Sequence, residues 1–195
     1  HLEGLGGRVR RGAVADLGPD GLAVALICGG GSALLPAPAD GLTLEDEQAL
    51  NKALLASGAP ISVMNAIRKQ VSRIKGGRLA AAAHPAPVLS LVVSDVPGDD
   101  PAQVASGPTV PDTMSREQAM VLVSAYNIAL PPRIADWLAK NPDDAPAPDN
   151  RIFRRNKAHV IASAGLSLEA AAQFARDRGV QAAILSDAIE GEARD

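Results

Sequence analysis

The sequence predicts an α/β fold in which a parallel sheet is covered by helices. Short continuous apolar runs alternate with longer stretches of helical periodicity, the pattern of strand–helix–strand units. Apolar residues fill 47% of the 195 positions and aromatics only 2%. A core of Ala, Val, Leu and Ile suits close packing of helices on a sheet better than an aromatic-rich sandwich.

The first strand is expected over Leu22–Cys28, followed directly by Gly29-Gly30-Gly31-Ser32. It is apolar throughout, as a strand covered on both faces is, so a central, buried position is expected. A helix is expected from Thr43 to about Ser57, with Glu45, Asp46 and Glu47 in the first turn, where the helix dipole favours acids. A second is expected from Pro60 to Ile74. Met64, Ile67, Val71 and Ile74 recur at spacings of three and four, and Gly76-Gly77 mark its end. The next strand is Val88–Ser94, running into Asp95-Val-Pro-Gly-Asp-Asp100. Ser115 and Gln118 have capping-box spacing for a helix reaching about Tyr126. Pro131–Lys140 reads as a short helix and Asn141–Asn150 as an exposed loop. A strand over Ala158–Ala162, a helix over Leu166–Arg178 and a strand over Val180–Ser186 complete the alternation. Such alternation implies right-handed crossovers.

Composition bounds the partners. A formal net charge of −3 offers no basic surface for nucleic acid. The single cysteine, Cys28, permits no disulfide within the chain, and His1, His84 and His159 have no zinc spacing. No apolar run reaches the roughly 18 residues of a membrane span, and no leader opens the sequence. A cytoplasmic location without nucleic-acid or membrane partners is therefore expected; a homodimer is left open. The chain opens without Met and closes at Arg194-Asp195, just after a strand-like run, so it is expected to be part of a larger protein.

In open α/β sheets ligands gather beyond the carboxyl ends of the strands. Gly29, Gly30 and Gly31 let backbone N–H groups approach an anion, and Ser32 adds a hydroxyl. A flexible turn with no ligand fits the same residues. Neither a dinucleotide fingerprint, which needs glycine where Leu34 stands, nor a P-loop is present. On a helix, Asn65, Arg68, Ser72 and Lys75 share one face with Lys69 at its margin, suited to a carboxylate or phosphate or to plain solvation. Asp95 at a strand end suits a magnesium ion or a hydroxyl proton. Ser106, Gly107 and Thr109 offer donors to an oxyanion, and turn chemistry explains the same residues.

Four blocks carry a resemblance: Cys28–Pro38, Asn65–Ala80, Ser94–Pro101 and Ala105–Asp112; Asp187–Arg194 is similar as well. In order and content they resemble the two-domain glycerate kinases, whose C-terminal domain is called MOFRL. Some relatives in that family are labelled hydroxypyruvate reductase. The resemblance implies an incomplete Rossmann-like parallel sheet flanked by helices in three layers, with residues 1–195 as part of the N-terminal domain and the MOFRL domain absent. It implies ATP-dependent phosphorylation of glycerate, typically at the 2-hydroxyl, with Mg2+. The family usually has Ser where Cys28 stands. On this reading Gly29, Gly30, Gly31, Ser32, Ser106, Gly107 and Thr109 hold anionic groups. Arg68 and Lys75, helped by Asn65 and Lys69, fix the glycerate carboxylate or a phosphate. Asp95 is base or metal ligand, with Asp99 a second metal ligand. A nicotinamide-dependent hydroxypyruvate reductase and a non-catalytic binding module are the alternatives.

Overall fold

The computed structural model describes residues 14–30, 32, 35–142 and 145–188. Its elements are β1 (Ala23–Cys28), α1 (Leu44–Ala56), α2 (Ile61–Lys69), α3 (Arg78–Ala83), β2 (Val88–Val93), α4 (Arg116–Ala125), α5 (Pro132–Lys140), β3 (Lys157–Ala162) and α6 (Ala164–Arg176). The strands form one parallel sheet in the order β1-β2-β3, flanked by helices. The α/β class read from the sequence is the class observed. Among the described residues no helix is long and apolar enough to cross a membrane.

Local chemistry sets the helix starts. Thr43 Oγ1 accepts from the Asp46 N–H at 3.3 Å while Asp46 Oδ2 accepts from the Thr43 N–H at 2.8 Å, closing a capping box before α1. Ser115 and Gln118 close the expected box before α4 in the same way.

The core has two parts. Leu50 and Leu54 of α1, Val63, Met64 and Ile67 of α2, Val123 of α4, and Ile134 and Leu138 of α5 pack into a helical cluster. Ala23 of β1 and Val88 of β2 pack against Ala80 and Ala83 of α3 in a second cluster. The methyl-sized residues of α3 allow the close helix-on-sheet approach expected from composition.

Three expectations are corrected. The strand over Leu22–Cys28 is not central: β1 lies at an edge of the described sheet, with Val24 56% and Leu26 79% exposed. Alternate side chains of its apolar run pack inward, and the others face an open side. The helix expected to reach Ile74 stops at Lys69. Backbone pairing wins there: Ala39 N–H donates to Val71 O at 2.8 Å and Arg73 N–H to Ala37 O at 2.9 Å, drawing residues 71–73 into an extended contact with 37–39. Val71 and Ile74 remain buried, so the apolar stripe was real although the helix carrying it is shorter. Val180–Ser186 forms no strand with the described residues: it has no ladder partner among them, and Val180 and Leu185 are exposed.

Candidate ligand site at the strand ends

Beyond the carboxyl ends of β1 and β2 lies a cavity of about 620 Å³. One wall is helical: Glu47, Gln48 and Asn51 of α1, and Ile61, Asn65 and Arg68 of α2. The other consists of loops: Gly30 and Ser32 after β1, Asp95 after β2, and Ala105 and Ser106. Lys75, from the turn between α2 and α3, also lines it. Seven residues singled out from the sequence thus meet in one space: Gly30, Ser32, Asn65, Arg68, Lys75, Asp95 and Ser106.

The glycines act in different ways. Gly30 has φ +73°, in the left-handed region that favours glycine. Gly29 is required by a close approach: a Cβ there would lie 1.8 Å from Asp95 Cγ. The Asp95 carboxylate thus rests over the Gly29 backbone and is exposed at the cavity edge. Gly31 lies outside the described residues.

Opposite, three consecutive residues are left-handed: Ala105 (φ 51°), Ser106 (φ 64°) and Gly107 (φ 57°). Non-glycine residues in this region cost of order 1–3 kcal/mol each and need surrounding support. Support comes from Gly76 N–H donating to Ser106 O at 3.1 Å and Gly77 N–H to Gly107 O at 2.8 Å. The strained turn brings Ser106 Oγ to 3.1 Å from Ser32 Oγ, joining the two loops.

Arg68 is half-buried and clamped by two carboxamides. Its Nε donates to Asn51 Oδ1 at 2.6 Å and its Nη1 to Asn65 Oδ1 at 3.1 Å. Lys75 is 3% exposed, and its Nζ is 3.7 Å from Glu47 Oε1, an ion pair beyond hydrogen-bond length. Burial lowers the pKa of both cations; the Glu47 charge opposes this, while Arg68 lowers Lys75 further. Each is a desolvated positive group that an arriving anion stabilises.

Other sequence candidates lie elsewhere. Lys69 is 2% exposed, donates to Ala102 O at 2.9 Å and lies 3.0 Å from Asp112 Oδ2, so its charge is committed inside the fold. Ser72 is turned into the protein, where its Oγ accepts from the N–H groups of Ile74 and Lys75. The supposed common helix face therefore fails, and Lys75 reaches the cavity from a turn. Thr109 is buried and bonded to Ser90 Oγ at 2.7 Å, and Gly107 is a packing position whose Cβ would meet Ala102 O at 2.7 Å. Asp99 is off the cavity wall, with φ 53° in the turn Pro97–Asp99. Among the described residues no group of three or more His, Cys, Asp or Glu is placed to hold a metal ion.

Sequence reasoning missed Glu47 and Asn51. Glu47 had been counted as a first-turn acid, yet it is 9% exposed and lines the cavity. The available signal was spacing: Glu47 and Asn51 are four apart, so they share a helix face.

Fold and site together define an α/β domain with a cation-bearing cavity at the carboxyl ends of parallel strands, where proteins of this class bind small molecules. The chain belongs to the family described as Domain of unknown function (DUF4147), which it matches over residues 7–139. It is 54% identical over 188 residues to an Agrobacterium vitis protein bearing the provisional name hydroxypyruvate reductase, covering 94% of this chain and 47% of that protein. It is 42% identical over 177 residues to glycerate kinase of Bos taurus, covering 90% of this chain and 34% of the relative. The crystal structure of glycerate kinase from Thermotoga maritima superposes with a TM-score of 0.77 at 33% identity, covering 91% of this chain and 41% of that one. The chain thus spans less than half the length of these relatives.

Proposed function

We propose that the chain supplies the acceptor-binding part of a glycerate kinase that phosphorylates glycerate from ATP, at the 2-hydroxyl, in the cytoplasm. One observation carries this reading: two desolvated cations, Arg68 and Lys75, share a 620 Å³ cavity with Asp95 and the serine-bearing loops at the strand ends. The names of the bovine and Thermotoga relatives support it.

The residues present fit such ligands. Arg68, held flat by Asn51 and Asn65, suits a carboxylate, and Lys75 adds a second positive charge. Gly30, Ser32 and Ser106 border the space for a phosphate. Asp95 would hold Mg2+, which is commonly bound by one or two carboxylates with phosphate oxygens and water completing its shell. ATP supplies the phosphoryl group, and Mg2+ neutralises charge on it. The protein orients the acid through Arg68 and Lys75, balances negative charge, and keeps the Asp95 carboxyl group beside the reacting region. Positioning and charge neutralisation are the main demands of phosphoryl transfer.

A hydroxypyruvate reductase is the second reading, favoured by the names of two Agrobacterium vitis relatives. Leu34 stands where a dinucleotide fingerprint needs glycine, which weighs against it. The test uses the full-length protein. ATP-dependent formation of phosphoglycerate from glycerate is expected. Oxidation of a reduced nicotinamide by hydroxypyruvate without ATP turnover would overturn the kinase reading.

A further inference from the structure

We infer that Glu47 binds a hydroxyl group of the acid in the cavity and so selects hydroxy acids over their deoxy counterparts. This rests on the reading of the cavity as an acid-binding site and extends it to a residue outside the sequence-derived set. α1 presents Glu47 and Asn51 to the cavity. Asn51 is engaged by Arg68. Glu47 is 9% exposed; its Oε1 faces Lys75 at 3.7 Å, and its buried Oε2 has no hydrogen-bond partner among the described residues. A buried carboxylate oxygen without a donor is costly, and native structures rarely leave one unanswered.

Several neighbouring groups bond one another and not Glu47 Oε2. Ser32 and Ser106 bond each other at 3.1 Å, and Arg68 holds Asn51 and Asn65 through Nε and Nη1. None of these bonds reaches Oε2, and on this inference its donor comes from the occupant. A carboxylate or phosphate cannot serve, because it has no proton to give and repels Glu47. A hydroxyl can. The matching ligand has an anionic end for Arg68 and Lys75 and a hydroxyl for Glu47. A site built around such a bond discriminates strongly against an analogue lacking the group, because the buried acceptor is then left unpaired.

The test is calorimetric titration of the full-length protein with glycerate, lactate and 3-hydroxypropionate, the last two each lacking one hydroxyl. In the wild type at least one deoxy acid is expected to bind about tenfold or more weakly than glycerate. In Glu47→Met that gap should shrink to about threefold or less, with glycerate itself weakened. Glu47→Asp keeps a negative charge near Lys75 but withdraws it by one methylene. It should keep the wild-type melting temperature and also lose the gap, so misfolding cannot mimic the result. Equal weakening of all three acids in both variants, or no wild-type preference for glycerate, overturns the inference. ATP turnover on glycerate, recorded on the same samples, separates the two ideas. Turnover with an unaltered gap in the variants sinks only the role of Glu47. Absence of both turnover and glycerate binding sinks the kinase reading and this inference with it.

Discussion

Lys69 and Lys75 stand at opposite ends of the turn between α2 and α3, and both are almost fully buried, at 2% and 3% exposure. Their surroundings differ. Lys69 donates to Ala102 O at 2.9 Å and approaches Asp112 Oδ2 at 3.0 Å. The Asp112 contact is an ion pair, and Oδ2 has no hydrogen-bond partner among the described residues. Together these contacts tie α2 to the segments before and after the strained turn at Ala105–Gly107. Lys75 meets its counterion only at 3.7 Å, has Arg68 as a like-charged neighbour, and lines the cavity. Burial alone does not mark a binding cation. What separates the two is whether the fold already supplies the opposite charge and an acceptor.

The largest expected effect is on stability at the Lys69 end. Lys69→Met leaves Asp112 buried without its cation, and breaking such a pair costs about 3–5 kcal/mol. Urea unfolding should show that loss for Lys69→Met and a clearly smaller one for Lys75→Met, whose cation is poorly compensated to begin with. Equal losses would erase the distinction between the two lysines.

A smaller effect is expected across the cavity. Gly29→Ala places a methyl where the Asp95 carboxylate rests, 1.8 Å from Cγ, so the acid must swing away. Turnover should fall by about 10²-fold or more, as misplacing a group that positions the reactants can cost. Folding should survive, because only an exposed side chain has to move. Full activity in Gly29→Ala would separate Asp95 from the chemistry.

The smallest effect is in pH dependence. Burial, the largest cause, lowers the Lys75 pKa below its ordinary value. Between the lowered folded value and the unfolded one, the unfolded chain binds more protons, so stability should rise with pH there. Affinity for an anion should fall over the same interval as Lys75 loses its charge. Melting temperature and glycerate affinity should therefore move in opposite directions with rising alkaline pH, and Lys75→Met should flatten both trends.

Much of this was legible in the residues because local rules governed it. The helix start at Thr43, the capping box at Ser115, the glycine turn after β1 and the acid after β2 are set by neighbours in sequence. What sequence reasoning missed depended on distant partners. α2 stops at Lys69 because residues 71–73 pair with 37–39, which no periodicity announces. Lys69 and Thr109 looked available until Asp112 and Ser90 were seen to engage them. Glu47 passed as a first-turn acid favoured by the helix dipole because its burial comes from the packing of α1 against the Lys75 turn. The exposure of β1 likewise depends on which elements flank it, and an apolar run alone cannot specify that.

The central claim is that Lys75 holds the ligand and Lys69 holds the fold. Titration of glycerate into the full-length wild type, Lys69→Met and Lys75→Met, below the melting temperature of all three, tests it most directly. Lys69→Met should bind within about threefold of wild type, while Lys75→Met should lose about tenfold or more, the scale of a charge-assisted contact. Unchanged binding by Lys75→Met, or a greater loss in Lys69→Met, would contradict the claim.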